Sequence, residues 1–228
     1  MRFTVAIALC CLAFGARAQE ALQKVELGTD LATLDRGADT VMNVCNSCHS
    51  LKYVRFRHLA ILGIAKDKLD LWRGGQSMGE TIASPMSAET ALESFGKVPP
   101  DLSLITGARE GGPNYVYSYL LGYYFTPTGA LANRYFPGTK LPDVLEISGV
   151  TDANERVRVE QQARDVVSFL AWAADPHAQE RHKLGYYVIG YLVVFTALLY
   201  LLKRRIWSRL GDADKASPAP DSEPPFRG

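Results

Sequence analysis

The sequence predicts a mainly α-helical domain with long loops, followed by one C-terminal transmembrane helix. Three observations carry this: apolar residues recurring at three- and four-residue steps in separate segments, long stretches punctuated by Gly and Pro between them, and one uncharged run of 19 residues near the C-terminus. Composition agrees. A chain of 228 residues, 47% hydrophobic and 21% charged, suits one globular domain plus a membrane segment and excludes disordered and collagen-like classes. A net charge of +1 provides no broad basic surface, so nucleic acid is not expected as a partner.

Taken in order, residues 1–18 (MRFTVAIALCCLAFGARA) combine an early Arg2, an apolar run from Phe3 to Phe14 and the small-x-small pattern Ala16-Arg17-Ala18. That is the pattern of a signal peptide, with cleavage expected before Gln19. Cys10 and Cys11 would leave with it, and Leu9 is the wrong residue to precede a lipoprotein cysteine. The mature chain then keeps only Cys45 and Cys48, too few for a disulfide framework in an exported protein.

A first helix opens at Asp35-Arg36-Gly37, with Leu34, Ala38, Val41, Met42, Cys45 and Cys48 on one face and Thr33 or Asp35 as its cap. Met42 on that face reads as core. An aromatic-rich helix fits Asn114 to Tyr124. The strongest pattern runs from Asn154 to Ala174, with Val159, Ala163, Val166, Val167, Leu170 and Ala174 in one stripe and Pro176 ending it. Between these, Gly74-Gly75, Pro99-Pro100, Gly111-Gly112-Pro113, Pro127 and Pro137-Gly138 predict turns. Three helices make a small core for residues 19–183, and a large buried cofactor would supply the missing apolar volume.

Leu184 to Leu202 (LGYYVIGYLVVFTALLYLL) rises 1.5 Å per residue to span roughly the 30 Å of a bilayer core. Globular helices rarely stay apolar on every face for that length. Lys203, Arg204, Arg205 and Arg209 follow at once and favour the cytoplasmic side. Together with the signal peptide they predict a periplasmic domain at 19–183, one crossing of a bacterial inner membrane at 184–202, and a cytoplasmic basic flank and tail at 203–228. From Gly211 on, four prolines among Ser, Ala, Asp and Glu predict disorder. The exported domain is mildly acidic, with 17 basic and 20 acidic residues.

Cys45-Asn46-Ser47-Cys48-His49 is C-x-x-C-H, the spacing of covalent haem attachment. On a helix the two thiols share one face and can add to the two vinyl groups along one haem edge, while His49 reaches the iron. A structural zinc site needs four ligands, and there is no second cysteine pair. A thioredoxin-like redox pair needs a strand before the helix and has no use for His49. One haem c is therefore the expected cofactor, with the free nitrogen of His49 oriented by a backbone carbonyl of the Pro99-Pro100 loop. His58, His177 and His182 read as polar surface or flanking residues.

With an exported haem domain and a C-terminal anchor in hand, the chain resembles the cytochrome c1 family, the haem subunits of quinol:cytochrome c oxidoreductase (bc1) complexes. The resemblance rests on residues 45–53 (CNSCHSLKY), 98–103 (VPPDLS), 108–121 (AREGGPNYVYSYLL), 133–138 (NRYFPG), 165–176 (DVVSFLAWAADP) and KRRIWS at 203–208, in that order. It implies a haem domain like that of class I cytochromes c. It also implies Cys45 and Cys48 as the thioether cysteines, His49 as the axial iron ligand, and Pro100 packed against the haem on the histidine side. Arg109 would meet a haem propionate, a charge-assisted pair, and Tyr115 and Phe136 would be aromatics of the pocket.

One position departs from the family. There, the F-P-G segment leads to a methionine before proline whose thioether is the sixth iron ligand; here Leu141 stands in its place, before Pro142. Three explanations stay open: an iron that is five-coordinate or holds water, a different side chain such as Lys140, Met78 or Met86, or a ligand from elsewhere with this loop aligned differently.

The resemblance implies an electron-transfer subunit, without bond-making chemistry of its own, that takes one electron from the Rieske iron–sulfur protein and passes it to a soluble or membrane-bound cytochrome c. Its membrane helix would pack on cytochrome b within a dimeric complex, with Tyr186, Tyr187, Tyr191, Tyr200 and Trp207 as interface anchors or helix contacts. The competing expectations are a haem protein that binds a gas or reacts with peroxide at an open site by Leu141, and a c-type subunit of another respiratory complex.

Overall fold

A computed structural model describes residues 20–216. The signal peptide expected at 1–18, its cleavage before Gln19 and the tail from 217 lie outside the described residues. The chain divides after Pro176 into two compact units.

The first unit is built on two helices, α1 (Leu31–Asn43) and α7 (Ala153–Ala174). Helix α1 is capped by Asp30, one turn earlier than Thr33 or Asp35, because the Asp30 carboxylate accepts from the Thr33 N–H at 2.9 Å and the Thr33 hydroxyl at 2.7 Å. Those two hydrogen bonds hold the Asp30 carboxyl below its ordinary value of 3.8. A depressed folded-state value means the stabilisation is complete above pH 3.8 and is lost as the pH falls through the folded value. The gap in urea midpoint between the protein and Asp30→Ala is therefore expected to stay constant from neutral pH down to about 4 and to narrow below it.

Helix α7 is capped by Asp152, which accepts from Glu155 N at 2.8 Å. It buries Ala163, Val166, Val167 and Leu170 as the stripe predicts, and also Phe169 and Ala173, so its buried face is wider than the pattern. It crosses α1 at Gly37, where a Cβ would lie 2.1 Å from the Asp165 carbonyl oxygen. Beside the crossing, Arg36 Nε donates to Asp165 Oδ2 at 2.6 Å; that carboxylate is nearly buried and also accepts from Gln161 at 2.8 Å. Ala38 and Val41 of α1 are fully buried against this pair, and Met42 is core.

The stretch between, expected as loop with one helix, holds more regular structure than its turn residues suggested. Strand β1 (Leu51–Arg55) pairs antiparallel with β2 (Thr81–Ile82), and α2 (Phe56–Leu62), α3 (Lys66–Arg73), α4 (Ala88–Phe95) and α5 (Ile105–Ala108) punctuate the connections. Glycines end these helices in left-handed conformations, the expected Gly74 after α3, and also Gly63 after α2 and Gly96 after α4. The aromatic helix, α6, covers Gly112–Leu121 rather than reaching Tyr124. Gly111 caps it at φ +84°, Pro113 occupies its first turn, and Gly122 stops it. Tyr123–Phe125 then form β3, paired with β4 (Leu131–Asn133) across a turn at Thr126–Ala130.

The second unit is one helix, α8 (Ala178–Ala216). Its span Glu180–Arg209 is long and apolar enough to cross a membrane, and none of its most apolar window is buried within the protein. Lys203 sits over the Trp207 ring at 5.5 Å. The helix continues beyond the basic cluster, so 211–216, expected as the start of the disordered tail, is helical; the first proline that would break it, Pro218, lies later.

Candidate functional site

Helix α1 stops at Asn43, and Cys45–Ser47 form a separate 3₁₀ turn instead of continuing the helical face. Polar residues made for turns surround it: Ser47 Oγ donates to Val44 O at 2.6 Å, and Asn46 Nδ2 donates to His49 O at 3.0 Å. The spacing argument survives the change, because residues three apart eclipse each other on a 3₁₀ turn. Cys45 and Cys48 are both free and half-buried. Burial pushes the Cys45 thiol up to about 11, the wrong direction for a redox-active thiolate.

The next segment positions His49. Residues 101–103 run along β1: Asp101 Oδ2 accepts from Lys52 N at 2.8 Å, Ser103 Oγ from Tyr53 N at 3.1 Å, and Ser50 O from Leu102 N at 2.9 Å. This places the Pro100 carbonyl 2.7 Å from His49 Nδ1. A carbonyl only accepts, so Nδ1 carries the proton and Nε2 keeps its lone pair. Burial lowers the pKa of His49 and favours that neutral form.

Cys45, Cys48, His49, Pro100, Arg109, Tyr115, Phe136 and Leu141 line one cleft, together with Lys140, whereas Met78 and Met86, the other candidate iron ligands, do not. The cleft holds about 1300 Å³ free of protein atoms, the open solvent at its mouth included. Apolar side chains of α6 and α7, among them Val116, Leu120, Val166 and Leu170, complete its walls. Its charged lining among the described residues consists of Lys97, Arg109 and Lys140, with no carboxylate. An apolar slot with two thiols and an imidazole nitrogen, and cations but no anions, fits a porphyrin with two propionates. Among the described residues, no cluster of three His, Cys, Asp or Glu could hold a free metal ion, as zinc would require. His58, whose Nδ1 accepts from Arg55 N, His177, which faces Glu180, and His182 stay outside the cleft.

Comparison with known proteins gives the same assignment. Residues 23–210 match the model of the Cytochrome C1 family. The chain belongs to the cytochrome c1 family. It is 36% identical to the cytochrome c1 of Allochromatium vinosum over 78% of this chain and 84% of that protein. It is 32% identical to "Cytochrome c1, heme protein, mitochondrial" of Schizosaccharomyces pombe, covering 81% and 69%. Against the cytochrome b/c1 of Bradyrhizobium diazoefficiens it is 32% identical over 78% of this chain, but spans only 33% of that protein's length.

Several residues that shape this cleft were not marked by the sequence. Asn133, almost wholly buried, donates from Nδ2 to Tyr119 O at 2.8 Å and accepts on Oδ1 from Tyr135 N and Phe136 N at 3.0 and 3.2 Å, which fixes the turn presenting Phe136. Lys97 lies 5.7 Å from the Phe136 ring centroid. The Tyr119 and Thr139 hydroxyls are bonded to each other, and Tyr123 donates to Leu141 O at 2.9 Å. An Asn directly before an aromatic-Pro-Gly turn is the one local signal that could have marked Asn133.

Proposed function

We propose that this chain is the haem-carrying electron-transfer subunit of a quinol:cytochrome c oxidoreductase complex, working between a Rieske iron–sulfur protein and a cytochrome c, and packed on a cytochrome b in a dimeric assembly. The observation that carries this reading is the convergence of Cys45, Cys48 and the oriented Nε2 of His49 on one apolar, cation-bordered cleft. Bound there, haem c supplies reversible one-electron chemistry.

The protein's residues do the rest. Cys45 and Cys48 hold the group by thioether bonds, so it cannot dissociate. His49 offers its lone pair in an orientation set by Pro100, and a histidine held this way is a stronger and better aimed donor than a free one. The Arg109 guanidinium, which lines the cleft, would balance a propionate. Tyr115, stacked on Tyr119 with centroids 6.1 Å apart, and Phe136 line the cleft and would help to exclude water from a bound haem. In this reading residues 19–183 stand in the periplasm, α8 crosses a bacterial inner membrane, and the basic run from Lys203 faces the cytoplasm.

The test is reduction in membranes. Quinol addition is expected to reduce the c-type haem at turnover rates, and affinity purification of this chain is expected to bring a b-type cytochrome and a Rieske centre with it. A c-type haem that quinol leaves oxidised, in a chain purifying without either partner, contradicts the proposal.

A further inference from the structure

An iron coordinated by His49 has a second axial position, and the side chains around the cleft decide what fills it. The sequence contains four methionines, Met1, Met42, Met78 and Met86. Met1 lies outside the described residues, Met42 is packed into the core, Met78 packs against that core, and neither Met78 nor Met86 lines the cleft. Among the described residues the cleft thus has no thioether, and no imidazole besides His49. Its other candidate donors are Lys97, which is exposed over the Phe136 ring, Lys140, and the hydroxyls of Ser47, bonded to Val44 O, and of Tyr115, Tyr119 and Thr139.

Most of those donors are bonded elsewhere or exposed, and the Tyr115 ring is stacked on Tyr119. The Tyr119 hydroxyl is bonded to that of Thr139 and lies 3.3 Å from that of Tyr123. Thr139 Oγ1 also accepts from Leu141 N at 3.1 Å, and Thr139 N donates to Phe136 O at 3.0 Å. With Tyr123 donating to Leu141 O, the backbone of Leu141 is bonded on both sides, and its half-buried side chain lines the cleft. Lys140, next to it, is exposed, where water solvates its ammonium strongly. A loop fastened this way presents an aliphatic side chain, not a ligand.

We infer that, with a haem held at Cys45, Cys48 and His49, no side chain among the described residues fills the second axial position, and that Leu141 borders an apolar site there which takes a small neutral diatomic ligand. This rests on the function proposed above, and the ligand class follows from chemistry: the aliphatic Leu141 side chain offers a ligand neither charge nor hydrogen bond, which favours an uncharged, weakly polar molecule over an anion. Tyr119, Tyr123 and Thr139 act as positioning residues that keep Leu141 in place.

The experiment is a carbon monoxide titration of the dithionite-reduced full-length protein in detergent, on a sample whose covalent haem has first been measured as the pyridine haemochrome. The expected result is a carbon monoxide difference spectrum with one ligand per haem. Leu141→Met, which conserves volume, is expected to lose that spectrum, to gain a methionine–iron charge-transfer band when oxidised, and to show a higher reduction potential. Leu141→Ala, which leaves the site apolar and enlarges it, is expected to keep binding carbon monoxide. A wild-type ferrous haem that refuses carbon monoxide overturns the inference while leaving the haem reading intact; if Lys140→Ala then gains binding, the lysine is the ligand. Absence of covalent haem overturns both.

Discussion

Replacing Cys45 and Cys48 together with serine is expected to abolish covalent haem attachment completely. Serine has nearly the shape of cysteine, and the turn that carries both residues is held by Ser47 Oγ on Val44 O and by His49 N on Cys45 O, neither of which uses a thiol. The fold of the turn should survive and the chemistry should not, because a hydroxyl does not form a thioether. Haem staining of a denaturing gel reads the result: a stained band at this chain's mass for the wild type and none for the double variant. Each single serine variant keeps one attachment point and is expected to remain stained. The double variant is also expected to be less stable, since the cleft walls of α6 and α7 lose a covalently retained partner and leave apolar side chains facing a void.

Substituting Gly37 has the largest expected effect on folding. A Cβ there lies 2.1 Å from Asp165 O, 2.7 Å from Asp165 C and 2.8 Å from Phe169 Cβ. Two of these are backbone atoms, which no side-chain rotation moves, so α1 and α7 have to separate. Overpacking costs about 1–3 kcal/mol when side chains can adjust; Gly37→Ala is placed at the top of that range, and Gly37→Leu is expected to yield no folded protein. At about 2–4 °C per kcal/mol for a domain of this size, Gly37→Ala should lower the Tm by roughly 6–12 °C. The separation also pulls Arg36 from Asp165, a nearly buried carboxylate that would keep only its hydrogen bond from Gln161. Gly149→Ala is the control: nothing lies within 4 Å of a Cβ at that position, and its effect should stay within about 0.5 kcal/mol.

Helices α1 and α7 were legible in the sequence because each is long enough for its apolar period to repeat several times. Their ends were less so: Asp30 caps α1 through Thr33, and the helix yields to a 3₁₀ turn one residue before Cys45. The β1–β2 and β3–β4 pairs were invisible, since strands of two to five residues show no alternation that chance would not produce. Helices α2 to α5 bury only one or two residues each, such as Leu69 in α3 or Ala91 in α4, too few to mark a period. At the site, local motifs placed Cys45, Cys48, His49 and the Pro100 carbonyl. Lys97, Asn133 and the hydroxyls of Tyr119, Tyr123 and Thr139 matter through contacts between segments distant in sequence, which no local pattern encodes.

The claim on which this account depends is that both sulfurs at residues 45 and 48 are bonded to one haem. Peptide mass spectrometry across Val44–Ser50, on protein made by cells that mature c-type cytochromes, tests it directly. The account predicts a peptide heavier by one haem, with neither cysteine open to alkylation. A peptide of unmodified mass whose two thiols both alkylate would contradict it.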